Sequence, residues 1–318
     1  FPALVRDNRF VGQGAWLFGL AEAPVHALIG DLGADAAAAA GRIAGAVAPG
    51  LAEGSAGGAP TLFLMFDALV PNIASILDAL YLETGDRVNY LGVNAGSETF
   101  QPMPCLFDAE RVIDAGVLCL LLPPELASAL GHGYLAPDEP ITATATTGNR
   151  IASINWRPAF DVYREQVRAS YGIQLDRDNF YRYAVHFPFG IALANGQTLV
   201  RIPVALGDDG SIFCVGEIPD GSLLTLLRAP EADSLDTVRL LAARLKRQPA
   251  PSRLLFFYCA GRRMHLGAAA EAEVAALARE TGAELVGALS LGEIGGVQDW
   301  SYPLFHNAAL VCAAWEPA

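Results

Sequence analysis

Two short runs of unbroken apolar residues stand out in the chain, TLFLMF at residues 61–66 and LLFFY at residues 254–258. Runs of this length without polar alternation predict strands buried on both faces. Helical periodicity follows each. Residues 71–82 and 268–280 read as helices, and each ends at Glu-Thr-Gly, where glycine is a good C-terminal stop. Residues 87–93 and 283–290 then read as strands. Elsewhere, residues 34–48 and 158–170 predict helices. Residues 235–246 predict another, with Ser234 as N-cap. Residues 15–19, 25–29, 111–122, 211–216, 221–228 and 307–315 predict further strands, and residues 50–60 a loop. Two hairpins are expected, 140–147 with 150–155 around Gly148-Asn149, and 187–194 with 198–205 around Asn195-Gly196.

These elements repeat. A buried strand, a helix closed by Glu-Thr-Gly, a strand reaching a glycine (Gly92 or Gly287), a small-residue loop with a glutamate (Glu98 or Glu293) and a cysteine-bearing strand occur twice in the same order. The offset stays near 195 residues. This predicts an α/β fold of two related sheet-and-helix halves, arisen by internal duplication, with mixed sheets. The halves are expected at residues 1–135 and 136–318, and the cleft between such halves is a natural ligand site.

Composition supports a large core. Apolar residues make up 53% of the 318 and charged residues 17%, which excludes disorder. The net charge of -13 repels phosphate backbones and anionic lipid, so neither nucleic acid nor membrane is expected as a partner. No apolar stretch reaches bilayer length, and no signal pattern opens the chain. The first residue is Phe1 rather than Met, so Phe1 is not expected to be the native start. The five cysteines, Cys105, Cys119, Cys214, Cys259 and Cys312, are scattered without metal spacing. They read as free thiols in a reducing, cytoplasmic setting.

The second repeat resembles a known family. Cys259-Ala260-Gly261-Arg262, then Leu266-Gly267, GALSLGEIG at 287–295 and Phe305-His306-Asn307 are similar to the C-terminal half of a FIST domain. Residues 144–163, 187–203, 210–221 and 61–123 resemble other stretches of that family, so the resemblance runs over roughly residues 60–318. The family's first half usually opens with a longer α/β segment and its own Gly-Glu-Ile-type loop. Residues 1–60 show no such loop, so the first half reads as shortened. The resemblance implies a small-molecule-binding sensory protein of bacterial type acting in signal transduction, with an amino acid as one ligand class. It also implies signalling through a separate partner, a kinase or cyclase, because no output domain follows the last predicted strand. Some family members bind haem and sense nitric oxide, which makes haem the alternative cofactor reading.

The candidate ligand-binding residues follow. Arg262 can grip a carboxylate with its fork and Glu293 can accept from an amine, or the two can pair with each other. Asn307 and His306 precede the last strand, where Asn307 can organise loop backbone and His306 can carry a proton. Cys259 lies beside Gly261 and Arg262. As a nucleophile with His306 or His265 it would make the chain a thiol-dependent enzyme, and otherwise it is a buried thiol. His132, between two glycines, is the candidate axial haem ligand, with His26, His186 and His265 also chemically suited. Gly12-Gln13-Gly14 and the 292–296 loop match no nucleotide-binding pattern.

Overall fold

Both apolar runs form strands, Thr61–Asp67 and Arg253–Cys259. In the computed structural model they are the centres of two six-stranded sheets. The residues described are 1–318 except 21, 53–57, 125–126, 138, 195, 232–234, 247–250, 297–301 and 315–318. The expected Ser234 cap and the Asn195 turn position therefore lie outside the described residues, as do part of the 50–60 loop and the end of the 307–315 strand.

The chain forms two compact units. The first comprises residues 1–132, 232–305 and 309–318. In one of its sheets, Thr61–Asp67 pairs in parallel with Asn89–Ala95 and antiparallel with Val117–Leu122, which pairs in turn with Val25–Ile29. In the other, Arg253–Cys259 pairs in parallel with Glu284–Ser290 and antiparallel with Leu310–Ala314, which pairs with Ala127–Gly131. Direction and order match strand for strand, as a duplication requires. Leu91, Val93 and Phe63 of the first sheet share one core with Phe257, Ala288 and Val311 of the second, so the sheets pack face to face. The outer face of the second sheet, with Leu254, Phe256 and Tyr258, is covered by helices Asp236–Leu245 and Ala269–Thr281. Helices Ala36–Ala52 and Ile73–Thr84 pack on each other, the former against the first sheet.

Smaller features repeat too. Thr84 and Thr281 each donate their hydroxyl to the carbonyl four residues back, Leu80 at 2.7 Å and Leu277 at 2.8 Å. Gly85 and Gly282 close these helices at φ 55° and 70°. Ala115 and Ala308, each just before a third strand, have left-handed φ of 46° and 56°. A Cβ on Gly92 would run into the carbonyl of Leu64, and one on Gly287 into that of Phe256. Each glycine therefore lets a parallel strand lie against its neighbour's backbone.

The repeat is broken where the sheets exchange strands. Leu4–Arg6, at the start of the chain, pairs with Glu284–Ser290, and Arg9–Val11 pairs beyond it. Glu293–Gly295 crosses over to pair with Asn89–Ala95. Each sheet is thus completed by chain from the opposite end of the sequence. The expected loop at 292–296 is a strand for this reason, and Glu98, its expected counterpart, sits in an exposed turn. Residues 15–19, expected as a strand, have no regular structure, and Ala127–Gly131 is a strand that the apolar pattern does not reveal.

The second unit comprises residues 133–231 and 306–308. Its antiparallel sheet runs Thr198–Arg201, Phe189–Ala192, Leu223–Leu226, Ile141–Thr147, Arg150–Ile154, Ile212–Cys214, Pro203–Leu206. The two end strands are joined by Ile202 alone, so the sheet curls back on itself. Both expected hairpin pairings are present. Helix Ala159–Tyr171 lays Phe160, Tyr163 and Val167 into the core, with the Tyr163 ring 5.1 Å from Phe189.

Candidate functional site

The strands Arg253–Cys259 and Glu284–Ser290 run in parallel, and Arg262, Ser290 and Glu293, at or just beyond their carboxyl ends, are among the buried polar groups of the first unit. In open α/β sheets that end is where ligands are held. Ser290 closes the second of these strands, and three residues later Glu293 opens the strand in the facing sheet. The chain makes this crossing over Leu291-Gly292. Gly292 lies under the Phe305 ring, where a larger residue would collide.

Glu293 is 0% exposed. In register with Val93, its side chain points between the sheets. Ser290 donates its hydroxyl to Oε1 at 2.5 Å, and the Ala309 backbone N–H donates to Oε2 at 3.2 Å. The Cys259 thiol is a third donor. Burial pushes the Glu293 carboxyl up to about 8, against the lowering pull of these donors and of the Arg262 charge. Burial therefore outweighs hydrogen bonding here, and the carboxyl stays largely protonated at neutral pH.

Arg262 is 1% exposed, in the short helix Ala260–Leu266. Its fork is engaged by Glu273, with Nε to Oε2 at 2.8 Å and Nη2 to Oε1 at 2.6 Å. Nη1 donates to the carbonyl of His132, and Nη2 reaches Thr237 Oγ1 at 3.4 Å. Tyr258 adds its hydroxyl to Glu273 Oε2 at 2.6 Å. The ion pair of Arg262 is thus with Glu273, and its charge acts on Glu293 through space. A buried pair of this kind stays together because either charge left alone is strongly destabilising. Glu273 has a legible signal after the fact. It occupies the stripe of Ala270, Val274 and Leu277, where helical spacing calls for an apolar residue.

Cys259 is buried at the end of its strand, and its N–H donates to Ala309 O at 3.1 Å. His306 and Asn307 are both buried and group with the second unit. Asn307 donates to the carbonyl of His306 at 3.0 Å and accepts from the Ile202 N–H at 3.4 Å, so its amide ties its loop to the link between two strands. His132 is half-buried, its carbonyl held by Arg262. His265 and His186 are half-buried and His26 is exposed. Burial lowers the His186 pKa. No group of three or more His, Cys, Asp or Glu side chains among the described residues is arranged to hold a metal ion.

Asn94 and Ser290 are polar residues the sequence reading passes over. Both sit near strand ends inside apolar stretches, where a polar residue on a buried face is the available signal.

No helix among the described residues is long and apolar enough to cross a membrane. No curated protein matches the chain. Two family models do: the FIST N domain over residues 7–157 and the FIST C domain over residues 159–296. The first begins well ahead of residue 60, where the sequence resemblance starts. FIST domains are associated with small-molecule-binding sensory signalling rather than catalysis. With both models matched in order over most of its length, the chain belongs to the FIST family.

Proposed function

We propose that this protein is a cytoplasmic sensor of a small molecule, with amino acids as the ligand class, and that it signals through a separate partner protein. Glu293 carries the reading. A fully buried carboxyl pushed up to about 8, at the carboxyl end of parallel strands, is the kind of perturbed group that clusters at functional sites. The ammonium of an amino acid would draw it to the ionised form. Arg262 takes part as the group that fixes this end of the sheet, since its fork is held by Glu273. Cys259 lines the same carboxyl.

The test is a thermal-shift screen with the amino acids on the wild type and on Glu293→Gln. Gln keeps the shape and one acceptor oxygen but not the charge. A ligand raises apparent stability as RT ln(1+[L]/Kd). At least one amino acid is expected to raise the wild-type Tm and to leave that of Glu293→Gln unmoved. An equal rise in both proteins, or no rise with any amino acid, rejects the reading.

A further inference from the structure

Asn94 is the second-last residue of the strand Asn89–Ala95. Its main chain is engaged: the N–H donates to Gly292 O at 2.8 Å, and the carbonyl accepts from Leu291 N at 3.1 Å. Its side chain is not. The residue is 0% exposed, and neither Nδ2 nor Oδ1 has a hydrogen-bond partner among the described residues. Native interiors leave very few such groups unpaired. Two nearby carboxyls do not fill the role, because Asp67 accepts from the N–H groups of Leu69 and Ala115, and Glu293 from Ser290 and Ala309. The amide faces away from Val93 and the inter-sheet core. Gly292 adjoins it, and a Cβ there would stand 3.1 Å from Nδ2. The Phe305 ring packs on the same spot, 2.5 Å from that Cβ position. The strand ends at Ala95 and leads into a turn with exposed Glu98 and Thr99.

An amide presents donors and an acceptor together. A carboxylate, having acceptors only, satisfies Nδ2 and leaves Oδ1 unpaired. A primary carboxamide satisfies both in one planar, two-bond contact. We propose that Asn94 is the recognition residue of a binding subsite for a primary carboxamide, which among amino acids singles out glutamine and asparagine. The choice of those two ligands rests on the amino-acid reading above. The subsite itself does not.

Calorimetric titration with glutamine, glutamate and propionamide tests this on wild type and Asn94→Leu. Leucine is close in size and removes an unpaired amide, so the free variant is expected to fold with an equal or higher Tm. Glutamine and propionamide are expected to bind wild type, glutamine roughly tenfold or more tighter than glutamate, and Asn94→Leu to lose a similar factor. Should that variant fail to fold, the Asn94 side-chain amide resonances of wild type read the same contact, and propionamide must move them. Glutamine and glutamate binding alike, with Asn94→Leu unaffected, would overturn the carboxamide subsite and leave the amino-acid reading standing. Propionamide binding without any amino acid would uphold the subsite and overturn that reading. Absence of binding by any carboxamide, with unmoved Asn94 resonances, overturns the subsite.

Discussion

Glu293 couples the fold to pH. A carboxyl ordinarily titrates near 4.3 when unfolded, and burial raises this one to about 8. The folded state therefore keeps a proton that the unfolded state releases as pH rises past the ordinary value. The stability tied to that proton is fully present below about pH 4 and is lost as pH climbs through about 8. Its size is on the order of a few kcal/mol. Urea melts from pH 5 to pH 8.5 should show wild type losing stability and Glu293→Gln losing less over the same range. The Arg262–Glu273 pair behaves differently. Arg262→Ala leaves a buried carboxylate without its cation and should lower unfolding free energy by about 3–5 kcal/mol, whereas the double change Arg262→Met with Glu273→Leu should recover most of it. A double-mutant cycle in urea checks both. Arg262, Glu293 and Cys259 stand out in the sequence as polar residues beside glycines at strand ends, and the structure buries all three. Their partners do not stand out, since Glu273 comes from a helix and Ser290 resembles an ordinary strand residue, and neither does Asn94.

Strands and helices were legible where their residues are large and apolar. The runs at 61–66 and 254–258 and the helices closed by Glu-Thr-Gly lie within a few residues of their expected bounds. Ala127–Gly131 escaped because its residues, Ala-Ser-Ala-Leu-Gly, have weak strand preference, and it is held by backbone pairing with Leu310–Ala314. The strand Glu293–Gly295 escaped because glycine and glutamate read as loop until a facing sheet supplies the partner. The two strand glycines make a paired prediction. Gly92→Ala and Gly287→Ala each push a Cβ into a neighbouring carbonyl and should each cost about 1–3 kcal/mol by overpacking. Gly45, on the exposed face of helix Ala36–Ala52, has nothing within 4 Å of a Cβ, so Gly45→Ala should stabilise by up to about 1 kcal/mol. Chemical denaturation of the three variants would show opposite signs.

Across the molecule, sequence halves and folded units differ. The duplication is legible along the chain, but each compact unit draws on both family segments. The first contains residues 1–132 and 232–305, and the second contains 133–231. Fragments 1–157 and 159–318 should each be insoluble when expressed alone, since each sheet of the first unit would lose strands and bare an edge. Produced together they should recover soluble protein, and gel filtration of the mixture tests this. Nothing in local periodicity announces such exchange, because it is set by which sheet edges lie open to the other half in the folded molecule.

The pairing of Leu4 with Ala288 also sets a clock on synthesis. A ribosome adding about 5–20 residues per second needs roughly 15–60 s to travel from the first partner to the second. Through that interval the opening strand has no sheet to join, and Val5, fully buried in the finished protein, stays open to water and to other chains.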